Sequence, residues 1–216
     1  LKNIVAPYSK LSASMIYSHI MSMLTGGIPV FFISKTYGNE TLGQFSLVIA
    51  TIYLPTSLVG NAIGQVYFQR AAKHYANGVS FNDLWFSTAK RLLIIGLPLF
   101  ISISLISPWA YPFVFGEKWQ NAGYYAVFLS ATAFFSFITS PLDRACIIVN
   151  AWWYIPLWHT LRAITTCLVA WLAWINQWSF NTFLAALVIQ VSIIYLIDYF
   201  WEWKFSFSTL SYRGGN

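Results

Sequence analysis

Apolar residues in this chain fall in six long, unbroken runs. They occupy approximately residues 11–34, 42–66, 92–115, 122–142, 154–175 and 180–201. A helix needs about twenty mostly apolar residues to cross a bilayer core of about 30 Å, at about 1.5 Å of rise per residue. Each run meets that length. None shows the alternation of short strands that a membrane barrel requires. The pattern therefore predicts an all-α integral membrane protein with six transmembrane helices in one bundle spanning residues 1–216. The first four runs hold no Asp, Glu, Lys or Arg; the fifth holds Arg162 and the sixth Asp198.

Composition agrees with that pattern. Of the 216 residues, 58% are hydrophobic, 19% aromatic and only 8% charged. A soluble domain usually carries about 25% charged residues, and disorder needs low hydrophobicity with high charge. The net charge of +6 comes from Lys and Arg scattered singly, so no nucleic-acid footprint is present. Cys146 and Cys167 have no metal or redox spacing and are expected to be small buried hydrophobes. The chain opens on Leu1 rather than Met, without a signal-peptide pattern. It is expected to be N-terminally truncated.

The loops give an orientation. Nine basic residues (Lys2, Lys10, Arg70, Lys73, Lys90, Arg91, Arg144, Lys204, Arg213) fall on the side of the N-terminus, and only Lys35 and Lys118 on the other. Lys and Arg accumulate in cytoplasmic loops, so both termini of this segment are expected in the cytoplasm. The tryptophans cluster near the span ends, where indole rings prefer the headgroup zone. The longest loop is expected between Tyr67 and Arg91. Within it, Phe81, Leu84, Trp85 and Thr88 share helical spacing. They read either as an interfacial helix or as the first turns of the third span.

Candidate chemistry is confined to the spans. The carboxylates and histidines form no catalytic or metal constellation, and no phosphate-binding glycine loop occurs. The expectation is a protein that is not an enzyme and holds no cofactor or metal. Asp198 and Glu202 share an i, i+4 spacing beside Lys204, expected to be a solvated helix end. Polar residues instead recur on helix faces: Ser14, Ser18, Ser22 and Thr25; Ser57, Asn61 and Gln65; Thr132, Ser136, Ser140 and Asp143; His159, Arg162 and Thr166. Lipid cannot satisfy amides or charges, so such faces turn toward other helices or a watery cavity. Hydroxyls at this spacing also serve plain helix packing, as does the Gly60–Gly64 step. Arg162 either faces a cavity or snorkels to the headgroups. Pro29, Pro55, Pro98 and Pro141 lie within the runs and predict kinks.

Certain strings carry a resemblance. Tyr37-Gly38 followed by Leu42-Gly43-Gln44-Phe45-Ser46, then Pro55, Gly60 and Gln65-Val66, resembles a helix–turn–helix of bacterial polysaccharide flippases. Phe115-Gly116-Glu117-Lys118-Trp119 with Ala122-Gly123 resembles their external turn, and Ser140-Pro141-Leu142 their next helix end. In order and spacing the chain is similar to the C-terminal half of O-antigen and exopolysaccharide repeat-unit flippases (Wzx type). These belong to the multidrug/oligosaccharidyl-lipid/polysaccharide exporter superfamily. The resemblance implies twelve helices in two bundles around a hydrophilic cavity, the N-terminal bundle being absent here. It implies the bacterial inner membrane as location, and a lipid-linked oligosaccharide on undecaprenyl diphosphate as cargo. The implied partners are this cargo, membrane lipids, the missing bundle and other polysaccharide-assembly membrane proteins.

On chemical grounds Arg162 and Arg144 suit a diphosphate. His159, Asn61, Gln65, Ser18 and Ser22 complete the expected cavity lining. A cation-coupled exporter of the same superfamily would use a buried acid, for which Asp143 and Asp198 are the candidates. A polysaccharide polymerase would want a large external loop, and a scaffold without transport stays open.

Overall fold

The computed structural model describes residues 2–209, with side chains from residue 12 onward. Arg213 and the side chains of Lys2 and Lys10 lie outside that description. Eight α-helices follow one another: α1 (Lys2–Thr36), α2 (Gly38–Val48), α3 (Leu54–Ala76), α4 (Asn82–Phe115), α5 (Gln120–Thr139), α6 (Ala145–Ile148), α7 (Tyr154–Ile175) and α8 (Phe180–Ser206). A π-helical turn, Ile49–Tyr53, joins α2 to α3, and a 3-10 turn, Glu117–Trp119, precedes α5.

Among the described residues, five stretches are long and apolar enough to cross a membrane: Ser12–Thr36, Gly38–Ala76, Asn82–Phe115, Glu117–Thr139 and Phe180–Ser206. Helix α7 forms over the predicted bounds but is not among them. It carries Arg162 and His159 in its first half. Several predicted boundaries also move. Helices run on past the apolar limits because a backbone in or near lipid keeps its internal hydrogen bonds wherever it can. The expected long loop shrinks to residues 77–81. Phe81 to Thr88 are the entry and first turns of α4, with Phe81 and Trp85 buried. Pro141 and Leu142 leave the helix for the link after α5.

Helix α5 sits at the centre. Glycine lets α4 approach it closely: a Cβ on Gly123 would lie 2.6 Å from the Ser107 carbonyl oxygen and 3.0 Å from Pro108 Cα. On its other sides α5 packs against α2 and α8. Helix α1 lies along α7, and α3 crosses the α5–α6 link, where Gly64 faces the Pro141 backbone. The end of α8 is clamped by α4. The Trp85 and Tyr199 rings stand 4.8 Å apart, and the Phe81 N–H donates to the Ser206 carbonyl at 3.2 Å. Gly38, at φ +87°, makes the sharp turn from α1 into α2 that a side chain would strain.

Candidate functional site

Between α1, α2, α5, α7 and α8 lies a partly open cavity of about 260 Å³. Its position follows from residue spacing. Trp158, Arg162 and Thr166 stand four apart on α7 and so share a face. Arg162 and Thr166 line the cavity, together with Thr25 and Gly26 of α1, Tyr53 of the π turn and Thr132 of α5. Arg162 faces this space and does not snorkel. Its guanidinium carbon lies 5.4 Å from the Trp158 ring centroid and 5.3 Å from that of Tyr195 on α8. Cation–π attraction replaces part of its lost hydration. Its buried Nε has no hydrogen-bond partner, and neither has the buried Thr166 hydroxyl. Tyr53 and Thr132 bond each other across the cavity wall. No Asp or Glu lines the cavity among the described residues. The arrangement is a cationic, hydroxyl-bearing hole in an apolar bundle, suited to an anionic or hydrogen-bonding group.

The predicted residues divide. His159 is half-buried next to Arg162, its Nδ1 unpartnered and its ring 4.9 Å from that of Trp158. Ser18 is buried but donates to the Ser14 carbonyl of its own helix at 2.7 Å, the packing role. Ser22 is exposed. Asn61 and Gln65 are exposed on α3 and lie outside this cavity. Arg144 is half-buried in the link before α6, with Asp143 exposed beside it. Cys146 is buried as expected, whereas Cys167 is exposed, because Ala170 and Thr166 take the inward positions of that turn of α7.

Asp198 and Glu202 correct the expectation of a solvated helix end. Both are buried, because α6 and the start of α7 fold over the last turns of α8. The Tyr154 hydroxyl donates to Asp198 Oδ1 at 2.8 Å, and the Cys146 N–H to Glu202 Oε2 at 3.2 Å. Glu202 Oε1 has no partner. Lys204, the expected counter-ion, is exposed and lies over the Phe200 and Trp201 rings. Tyr53 and Tyr154 were not legible as site residues, since an aromatic in an apolar run reads as lipid-facing. Pro55, which disrupts the helix beside Tyr53, was the usable signal.

Comparison with known proteins places these observations. The model of the family described as "Polysaccharide biosynthesis protein" matches residues 2–124, more than half the chain. The teichuronic acid biosynthesis protein TuaB of Bacillus subtilis (strain 168) is 27% identical over 116 residues. That stretch is 53% of this chain and 24% of TuaB, so the chain matches about a quarter of that relative's length. No solved structure matches.

Proposed function

The chain belongs to the polysaccharide biosynthesis protein family, and from that premise we propose that it forms a six-helix bundle of a transporter moving lipid-linked oligosaccharides across the bacterial inner membrane. Its role is translocation, not catalysis. Helix α7 is the sixth span: its 22 residues extend about 33 Å, enough to cross. The observation that carries the reading is Arg162, a cation at mid-helix facing a cavity without a carboxylate in its lining. A charge at that depth costs about 2.5–3.5 kcal/mol even on insertion scales. Its retention needs a reason, and an anionic cargo supplies one.

The volume limits what the cavity holds. About 260 Å³ falls below the roughly 300–1,000 Å³ of ordinary ligand pockets. It accepts a phosphate or a single sugar, not a repeat unit. The remaining sugars pass outside the bundle's interior, along polar faces such as Asn61 and Gln65 on α3. Moving them through bare hydrocarbon would forfeit their hydrogen bonds with water.

A second reading, a cation-coupled exporter of small molecules, is favoured by the buried Asp198 and Glu202. One assay separates the two. In cells dependent on the full-length protein, Arg162→Ala is expected to reduce surface polysaccharide about tenfold or more, and Arg162→Lys less, because lysine keeps the charge but not the stacked fork. Unchanged polysaccharide at equal membrane expression overturns the proposal. Loss of drug export on Asp198→Asn with polysaccharide intact supports the second reading.

A further inference from the structure

Residues 140–153, between α5 and α7, cover the end of α8 with little structure of their own. Their one helix, α6, is a turn of four residues, far below the roughly 12–15 that an isolated helix needs. Leu142, Ala145 and Cys146 are nonetheless buried. Among the described residues, three hydrogen bonds tie this cover, with Tyr154 just after it, to α1 and α8. Ser14 donates to the Trp152 carbonyl at 2.9 Å. The other two land on carboxyl groups of α8. The Cys146 N–H donates to Glu202 Oε2 at 3.2 Å, and the Tyr154 hydroxyl to Asp198 Oδ1 at 2.8 Å.

Those two carboxyls stand one turn apart on one helix face. Asp198 is 4% exposed and Glu202 1%. Among the described residues neither accepts a hydrogen bond from Lys or Arg. A buried carboxylate without a cation is costly, and two side by side cannot both stay charged in an apolar place. Glu202 also has an oxygen to spare. Its Oε1 has no partner, and neither has the Tyr67 hydroxyl on α3, which is 2% exposed and within reach of the Glu202 charge. A carboxylate only accepts hydrogen bonds, whereas a carboxylic acid also donates one. A protonated Glu202 therefore keeps the Cys146 bond on one oxygen and turns a donor toward Tyr67 with the other. The remaining ionisable groups around the pair are Asp143 and Cys146 of the cover and Tyr154 and Arg162 of α7. Helices α4 and α5 turn no ionisable side chain into the cluster among the described residues. Asp143 adds a third acid and is exposed, which puts the cluster in touch with water.

We propose that the segment 140–153 is a proton-operated latch, shut on α8 while Asp198 and Glu202 hold protons and released, baring Cys146, when both are charged. The shut form binds more protons than the open one, so low pH favours it and rising pH opens it. Helix α7 begins at Tyr154, so opening also frees the first turn of the helix that carries Arg162. The latch acts whatever the bundle carries, and its failure leaves the transport reading untouched.

The chain holds its own reporter and reference. Cys146 is buried under the cover, and Cys167 is exposed on α7. Full-length protein in detergent is alkylated with N-ethylmaleimide, and both cysteine peptides are followed by mass spectrometry. Thiolates are the reacting species, so the ordinary effect of pH speeds both thiols alike and cancels in their ratio. The Cys146-to-Cys167 ratio is expected to rise about tenfold or more from about pH 6 to about pH 8, because each proton released on opening gives up to about tenfold per pH unit. Glu202→Gln and Asp198→Asn keep an acceptor oxygen without the charge, and each is expected to hold the ratio low at both pH values. A flat ratio in the unaltered protein overturns the latch, and so does an unchanged rise in either variant.

Hydrogen exchange on the unaltered protein decides the matter should a variant fail to fold. After correction for the intrinsic effect of pH, exchange is expected to quicken at the higher pH in residues 140–153 while α4 and α5 stay protected. Quickening spread evenly over the bundle, or none in residues 140–153, overturns the proposal.

Discussion

Glycines of one type in one bundle have opposite physical meanings. A Cβ added to Gly123 would lie 2.6 Å from the Ser107 carbonyl oxygen, and the atoms it would strike are backbone. Backbone atoms have no rotamer to turn aside, so Gly123→Ala forces α4 and α5 apart. Overpacking of this kind costs about 1–3 kcal/mol. Gly26→Ala meets open space, and helix propensity then favours alanine by up to about 1 kcal/mol. Thermal unfolding of the two variants in the same detergent is expected to show a clear drop for Gly123→Ala and no drop for Gly26→Ala. Equal losses would mean that the α1 backbone at Gly26 is as closely packed as α5 at Gly123. The pair also shows why a lone glycine in a sequence is ambiguous: its neighbours across the bundle decide its role, and those are not written beside it.

At the scale of elements, the second span is two helices joined by a fault. Pro55 lacks the N–H that would bond the Thr51 carbonyl, and its ring crowds that turn. The helix passes the defect by widening into the π turn Ile49–Tyr53. Such turns recur at functional sites because they rotate the residues that follow. Here both Ile49 and Tyr53 line the cavity. Pro55→Ala removes the cause, and a regular helix would turn Tyr53 away from Thr132. Surface polysaccharide is expected to fall several-fold at unchanged expression, and wild-type levels would show that the π turn does not serve the cavity.

The sequence carried the proline and the apolar run, but not the π turn. It likewise placed Arg162 on a polar face with Thr166, because helical spacing alone sets that. It could not show which aromatic rings would flank the guanidinium, since Tyr195 arrives from α8 through tertiary packing. The burial of Asp198 and Glu202 was illegible for the same reason: the cover comes from α6 and Tyr154, which local sequence leaves unassigned.

For the whole molecule, the number of crossings turns on α7. Five stretches qualify by length and apolarity, and with five the two ends of the chain would face opposite sides. With α7 inserted there are six, and the turns at residues 149–153 and 176–179 lie on opposite faces of the membrane. The packing favours insertion. Helix α1 runs along α7, and α1 is itself one of the apolar stretches. Arg162 is then shielded by the bundle, so the helix need not show a charge to lipid. The basic residues point the same way: Arg144 already lies on the Lys- and Arg-rich side after four crossings, and with α8 crossing, Lys204 joins it only if α7 crosses too. Single cysteines at Asn150 and Gln177, probed with a membrane-impermeant maleimide in intact cells and in inverted vesicles, distinguish the alternatives. Gln177→Cys is expected to label from outside and Asn150→Cys only in inverted vesicles. Labelling of both from the same side would remove α7 from the membrane, and with it the cavity's one cation.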